Sequence, residues 1–97
     1  MMLRERALVS LRSIPFLPKH VRIQYDSVRQ AFAVLSPERI FWPNDISLDI
    51  LRRCDGRSTV DHIIAGLAAD YDAEEEDVAA DVIAFLQEWS DKLLVKL

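Results

Sequence analysis

Glycine is scarce in this chain of 97 residues, which has only two, and cysteine occurs once. One cysteine excludes an intrachain disulfide and favours a reducing, cytoplasmic setting. Gly56 and Gly66 stand alone, so no glycine-rich loop is available to cradle a phosphate. Long apolar runs are also missing: nothing approaches the roughly 18 residues of a membrane span, and no membrane partner is expected. Arg12 interrupts the apolar stretch near the start and no small-residue cleavage site follows it, which argues against a secretory signal. Finally, basic excess is lacking. Twelve Lys and Arg stand against 16 Asp and Glu, for a formal net charge of −4. A duplex-binding domain concentrates positive charge to displace counterions from phosphates, so nucleic acid is not expected as the main partner.

Residues that could carry catalysis or bind a metal are equally sparse. His20, Cys54 and His62 do not follow a metal-ligand spacing. Cys54 falls on an apolar stripe and reads as core, whereas His62 lies beside Asp61 in the first turn of a helix and reads as exposed. The acidic run Asp70, Asp72, Glu74, Glu75, Glu76 and Asp77 lacks the glycine and spaced oxygen ligands of a calcium loop. Such charges instead suit a helix N-terminus, where they meet the positive end of the helix dipole. No cofactor, no metal centre and no acid–base pair is expected, which points away from an enzyme.

What the sequence does contain is enough apolar material for one core. The hydrophobic fraction is 51% and the charged fraction 29%, the balance of a single globular domain. Residues 1–18 form an N-terminal arm: Leu3, Ala7, Leu8 and Leu11 recur at helical spacing until Pro15 and Pro18 break the pattern. This arm is either a flexible tail or a segment that docks on its own or a neighbouring subunit. Residues 19–97 form the folded domain.

Within that domain the period is first two. Val21, Ile23 and Tyr25 alternate with polar neighbours in a first strand, and Asp26-Ser27 supply a turn. Gln30 to Leu35 predict a second strand, Ser36-Pro37-Glu38 a tight turn, and Arg39 to Trp42 a third strand closed by Pro43. The period then becomes helical. Asn44 or Asp45 caps a first helix with Ile46, Ile50, Leu51 and Cys54 on one stripe, ended by Asp55-Gly56. Ser58 or Thr59 caps a second, with Val60, Ile63, Ile64, Leu67 and Tyr71 inward. Asp72 and Glu75 form a capping box for a third, from Ala73 to Trp89, with Val78, Val82, Phe85, Leu86 and Trp89 inward. Leu93 to Val95 add a short strand or dock on the core. The expected architecture is α+β and winged-helix-like, a three-stranded antiparallel β-meander followed by three α-helices.

A winged-helix outline raises DNA binding as an alternative, yet the third helix carries Glu74, Glu75, Glu76, Asp77, Asp81 and Glu88, which phosphates would repel. A purely structural scaffold is a further alternative. The feature that stands out is the third strand. Arg39-Ile40-Phe41-Trp42 is short and apolar, without the charges that usually guard an exposed edge, and such an edge accepts an extended peptide as an added strand. Read from the residues alone, ordinary core is the favoured role of Phe41 or Trp42.

The ordered set Val21-Arg22, Asp26, Arg29, Leu35-Ser36-Pro37-Glu38-Arg39, Ile50-Leu51-Arg52-Arg53-Cys54-Asp55-Gly56, Ile63, Leu67, Tyr71 and Asp81-Val82-Ile83-Ala84-Phe85-Leu86 resembles the PqqD family of pyrroloquinoline quinone (PQQ) biosynthesis. The resemblance spans about residues 18–95. It departs at the arm, which has no family pattern, and at Ile46-Ser47, where small residues are expected. It implies a peptide chaperone, a recognition element for ribosomally made and modified peptides. Such a protein binds the PQQ precursor peptide and presents it to a radical S-adenosylmethionine (SAM) enzyme. Carried over residue by residue, it implies a peptide groove walled by Arg39, Ile40, Phe41 and Trp42, with Asp81, Phe85 and Trp89 contributed by the third helix. The unguarded edge and the apolar arm are also compatible with a homodimer.

Overall fold

The computed structural model describes residues 6–97. Three strands, β1 (Arg22–Asp26), β2 (Ala31–Ser36) and β3 (Arg39–Phe41), precede three helices, α1 (Asp45–Arg52), α2 (Val60–Asp70) and α3 (Glu75–Asp91). The strands form an antiparallel sheet in the order β1-β2-β3, so the expected α+β order of meander then helices is what the chain adopts.

The β1–β2 turn is built around Asp26, whose Oδ1 accepts the N–H groups of Val28 and Arg29 at 2.9 and 3.0 Å. Gln30 then takes a left-handed conformation, φ 52°, which excludes it from the strand expected to begin there. Alternation sorts the side chains onto two faces. Ile23, Val34 and Phe41 lie in one cross-strand row and pack against the helices, with Val34 fully buried. Tyr25 shares that face but is half exposed, because the hairpin runs past the helical layer, and it meets Phe32 edge-on at 5.0 Å.

Asn44 caps α1, its Oδ1 accepting the Ser47 N–H at 2.8 Å. Ile50 and Leu51 enter the core, while Ile46, expected on the same stripe, stays 54% exposed. The helix stops at Arg52, before the expected Asp55-Gly56 terminator. Arg53 closes it instead, tied by its side chain to Asp49 and Asp70. Cys54 follows the helix and is buried, its thiol donating to the Ile50 carbonyl at 3.2 Å. Gly56 has φ 76° and uses that left-handed conformation to donate its N–H to the Pro15 carbonyl.

Thr59 caps α2, and Val60, Ile63, Ile64 and Leu67 are buried as expected. Tyr71 is not: it lies past the helix, 48% exposed, with its hydroxyl on Asp49. The expected Asp72–Glu75 capping box does not form. Asp72 sits in a left-handed turn (φ 51°), so the N-cap of α3 falls on Glu74, which makes no side-chain cap bond, and the helix starts two residues after Ala73. Val82, Leu86 and Trp89 are buried along α3. At its end Leu93 (φ 64°) lets the Leu94 N–H close on the Trp89 carbonyl at 2.9 Å, which turns Leu94 and Val95 into the core.

Residues 6–18 lie along the same chain. Phe16 exchanges backbone hydrogen bonds with Lys96 at 2.8 and 2.9 Å, while Ser13 and Leu11 carbonyls accept the N–H groups of Val60 and Asp61. Gln87 on α3 bonds the Ala7 carbonyl and the Val9 N–H, and Arg6 makes two bonds to Asp91. Leu3, expected at the start of the arm's apolar pattern, lies outside the described residues. Among the described residues no helix is long and apolar enough to cross a membrane.

Candidate functional site at an open strand edge

β3 lies at the edge of the sheet, and its geometry follows from the turn before it. Ser36 faces Arg39 across a two-residue turn holding Pro37 and Glu38. In a hairpin of this length the flanking residues are the hydrogen-bonded pair, and hydrogen-bonded and non-bonded pairs then alternate. Leu35 and Ile40 are therefore a non-bonded pair, and the N–H and C=O of Ile40 point away from β2 into the open.

The helix-facing side of this edge is aromatic. Phe41 meets Trp89 with ring centroids 5.4 Å apart, and Trp89 stacks on Phe85 at 5.1 Å. Trp89 is nearly buried, while Phe41 and Phe85 keep part of their surface exposed. Lys92, one turn beyond Trp89, places its ammonium 6.0 Å from the Phe41 ring. Between β3 and the end of α3 runs an open groove of about 510 Å³, lined by Arg39, Phe41, Asp91, Lys92 and Leu93 and floored at one end by the Ser36–Glu38 turn.

The residues singled out in the sequence divide into three groups. Arg39 and Phe41 line the groove, with Phe85 and Trp89 behind Phe41. Ile40 and Trp42 share the opposite, outer face of the sheet, and Trp42 lies past the strand with the Arg29 guanidinium 4.7 Å from its ring centroid. Asp81 is not brought to this groove. It sits three turns before Lys92, about 16 Å along the helix, beside a smaller apolar hollow with Ile46, Leu67 and Tyr71. Lys92 was missed although it continues the Phe85–Trp89 stripe at helical spacing. Asp91 carried no local signal, since it is held by Arg6 and Gln87 from far along the chain or the previous turn.

Arg6 is held above its ordinary value by its hydrogen bond and ion pair with Asp91 at the groove, while Cys54 and Asp49 lie away from it. Burial, with a smaller effect from Asp55, pushes the Cys54 thiol up to about 12, so it stays protonated at neutral pH. Burial tends to raise Asp49, yet hydrogen bonds from Arg53 and Tyr71 and the charge of Arg53 hold it below the usual carboxylate range. His20 Nε2 lies 3.3 Å from the Leu93 carbonyl, and no three His, Cys, Asp or Glu side chains among the described residues are arranged to hold a metal ion. The arrangement can hold an extended chain.

Comparison with known proteins gives a consistent result. Residues 32–95 match the family model described as coenzyme PQQ synthesis protein D (PqqD). A protein named PqqA binding protein from Rhodopseudomonas palustris strain HaA2 is 45% identical over 84 residues, covering 87% of this chain and 82% of that one. One of the same name from Xanthomonas oryzae pv. oryzae is 37% identical over 83 residues, covering 86% and 90%. The solution structure of the PqqD truncation of Methylobacterium extorquens PqqCD, described as a functional and stand-alone recognition element for ribosomally synthesised and post-translationally modified peptides, superposes with a TM-score of 0.78 at 34% identity. That match covers 95% of this chain and 97% of the other. The crystal structure of PqqD from Xanthomonas campestris superposes with a TM-score of 0.59 at 35% identity, covering 92% and 99%. By sequence and by fold, the chain belongs to the PqqD family.

Proposed function

We propose that this protein binds the PqqA precursor peptide of PQQ biosynthesis by strand addition to β3, and presents it to a radical SAM enzyme without catalysing a step itself. The observation that carries the reading is the open edge at Ile40 beside the Phe41–Trp89–Phe85 cluster. An added strand would take main-chain hydrogen bonds from that edge, and its alternate side chains would reach the groove between β3 and α3. The names of the PqqA binding proteins and the description of the M. extorquens recognition element support the choice of ligand.

In this reading residues 19–97 are the peptide-recognition domain and residues 1–18 an N-terminal arm, of which Arg6, Ala7 and Val9 bond Gln87 and Asp91 near the end of α3. The setting is cytoplasmic, where Cys54 remains a thiol. A homodimer made by pairing β3 edges would compete with the peptide.

The test is a titration of isotope-labelled protein with the precursor peptide, followed by two-dimensional NMR. Saturable shifts concentrated in residues 38–42 and 85–93 are expected. A folded, monomeric protein that shows no shifts at millimolar peptide would remove the assignment.

A further inference from the structure

On the sheet face turned away from the helices, Ile40 and Trp42 stand largely exposed while Ala33 is buried. Strand alternation puts Ala33, Leu35 and Ile40 on it, with Trp42 just beyond, and two adjoining hollows meet at Leu35 and Ile40. Ile40 is 61% exposed and Trp42 42%, so large apolar groups stand in water. Around them lie Lys19 and Arg22 at one end and Arg29 on the Trp42 ring at the other. Among the described residues none of these three cations sits in an ion pair, whereas Arg53 and Lys92 on the helical side are paired. Two carboxylates adjoin the patch. Asp26 is turned inward to its own loop, leaving Glu38 as the one outward negative charge. The patch is thus cationic in a chain whose net charge is −4, with eight of the 16 acidic residues on α3 and the turn before it.

We infer that this outer face is a second docking surface, for a protein that presents acidic side chains around an apolar centre. An apolar centre with a charged rim is the anatomy of a protein interface, and rim charges steer the encounter. A second copy of this chain fits poorly, because its own outer face carries the same excess of cations over one outward carboxylate, and two such faces would repel. Single-stranded nucleic acid would need a bare aromatic platform, and the Trp42 ring already carries Arg29. The surface shares β3 with the peptide edge: Ile40 turns its side chain to the outer face and its N–H and C=O to the edge. A partner seated there would lie beside a bound peptide without filling its groove. The inference rests on the proposed presenting role, since it gives the enzyme and the peptide separate surfaces of one strand.

The experiment compares wild type with the double variant Lys19→Glu/Arg22→Glu, whose side chains are exposed on the outer face. Each is titrated with the purified radical SAM enzyme of the pathway at two salt concentrations, and separately with the precursor peptide. The expected result is about a tenfold loss of enzyme affinity, smaller at high salt, with peptide affinity unchanged. Arg22→Gln, a milder change, should show a smaller loss in the same direction and guards against misfolding of the double variant. If wild type and both variants bind the enzyme equally, the outer face is not the docking surface, while the peptide reading stands. If wild type binds peptide but no enzyme, the presenting role fails and this inference with it. Binding of a single-stranded oligonucleotide in place of the enzyme, lost in the double variant, would likewise overturn it.

Discussion

Phe41 and Trp89 meet across the seam between β3 and α3, their ring centroids 5.4 Å apart and their planes inclined by 48°. This contact ties the edge strand to the helix that walls the groove, so it serves stability and the site together. The two roles separate along the stack. Trp89 is 7% exposed, and truncating it to alanine should cost about 3–5 kcal/mol of stability, read as a fall in the urea midpoint. Phe85 is only partly buried, so Phe85→Ala should cost less stability while weakening peptide binding severalfold at constant fold. A Phe85→Ala protein with unchanged peptide affinity would place the peptide elsewhere.

Proline substitution separates the two sides of β3. Ile40→Pro removes an N–H that points into solvent, so the sheet should survive, while an added strand loses a donor at its centre. We expect circular dichroism close to wild type and peptide affinity reduced about tenfold or more, since one hydrogen bond contributes about 0.5–1.5 kcal/mol and the ring obstructs the neighbouring strand. Phe41→Pro removes an N–H bonded to β2 and should lower the unfolding midpoint directly. Equal peptide affinity in a folded Ile40→Pro variant would rule out strand addition at this edge.

The elements were legible because their patterns are local. Alternation at Val21, Ile23 and Val34, and helical spacing at Ile63, Ile64, Leu67, Val82 and Leu86, marked the core that the fold buries. Boundaries were less legible where a left-handed residue or a distant partner decides them. Asp72 and Gln30 take positive φ without being glycine, and neither announces it in sequence. At the end of α1, Arg53 reaches Asp70, 17 residues away, a partner that local spacing does not indicate. The helix pattern marked Phe85 and Trp89 only as inward-facing, and the resemblance assigned them with Arg39 and Phe41 to a groove; Arg39 and Phe41 do line a hollow beside α3, with the two aromatics behind Phe41. The placing of Ile40 and Trp42 on the other face required the register, and the distance to Asp81 required the course of α3.

Gly66 and Arg53 give a test of packing between α1 and α2. A Cβ at Gly66 would lie 2.5 Å from Arg53 Nη1, inside the space the guanidinium needs to reach Asp49 and Asp70. Glycine to alanine within a helix ordinarily stabilises by about 1 kcal/mol. Here that gain should be cancelled or reversed in wild type, because Arg53 must leave its carboxylates. In an Arg53→Ala background the clash is gone and Gly66→Ala should recover the stabilisation. The double-mutant cycle, by urea unfolding, checks this; a Gly66→Ala effect identical in both backgrounds would show that Arg53 does not set the need for glycine.

Acid should loosen the α1–α2 corner before the rest of the protein. Backbone N–H groups of Arg57 and Ser58 donate to Asp55 and hold its carboxyl below the usual range, as Arg53 and Tyr71 do for Asp49 against the effect of burial. A carboxyl lowered in the folded state adds stability that is complete above its unfolded value, near 4, and is lost as pH falls through the lower folded value. The urea midpoint should therefore be level above about pH 5 and fall below about pH 4. Asp55→Asn keeps an oxygen that can accept both N–H groups but removes the titration, so its midpoint should start lower at neutral pH and fall less on acidification. Parallel acid profiles for wild type and Asp55→Asn would mean that the turn at Asp55 contributes nothing to the acid sensitivity, leaving Asp49 and its Arg53 partner as the groups to test next by Asp49→Asn.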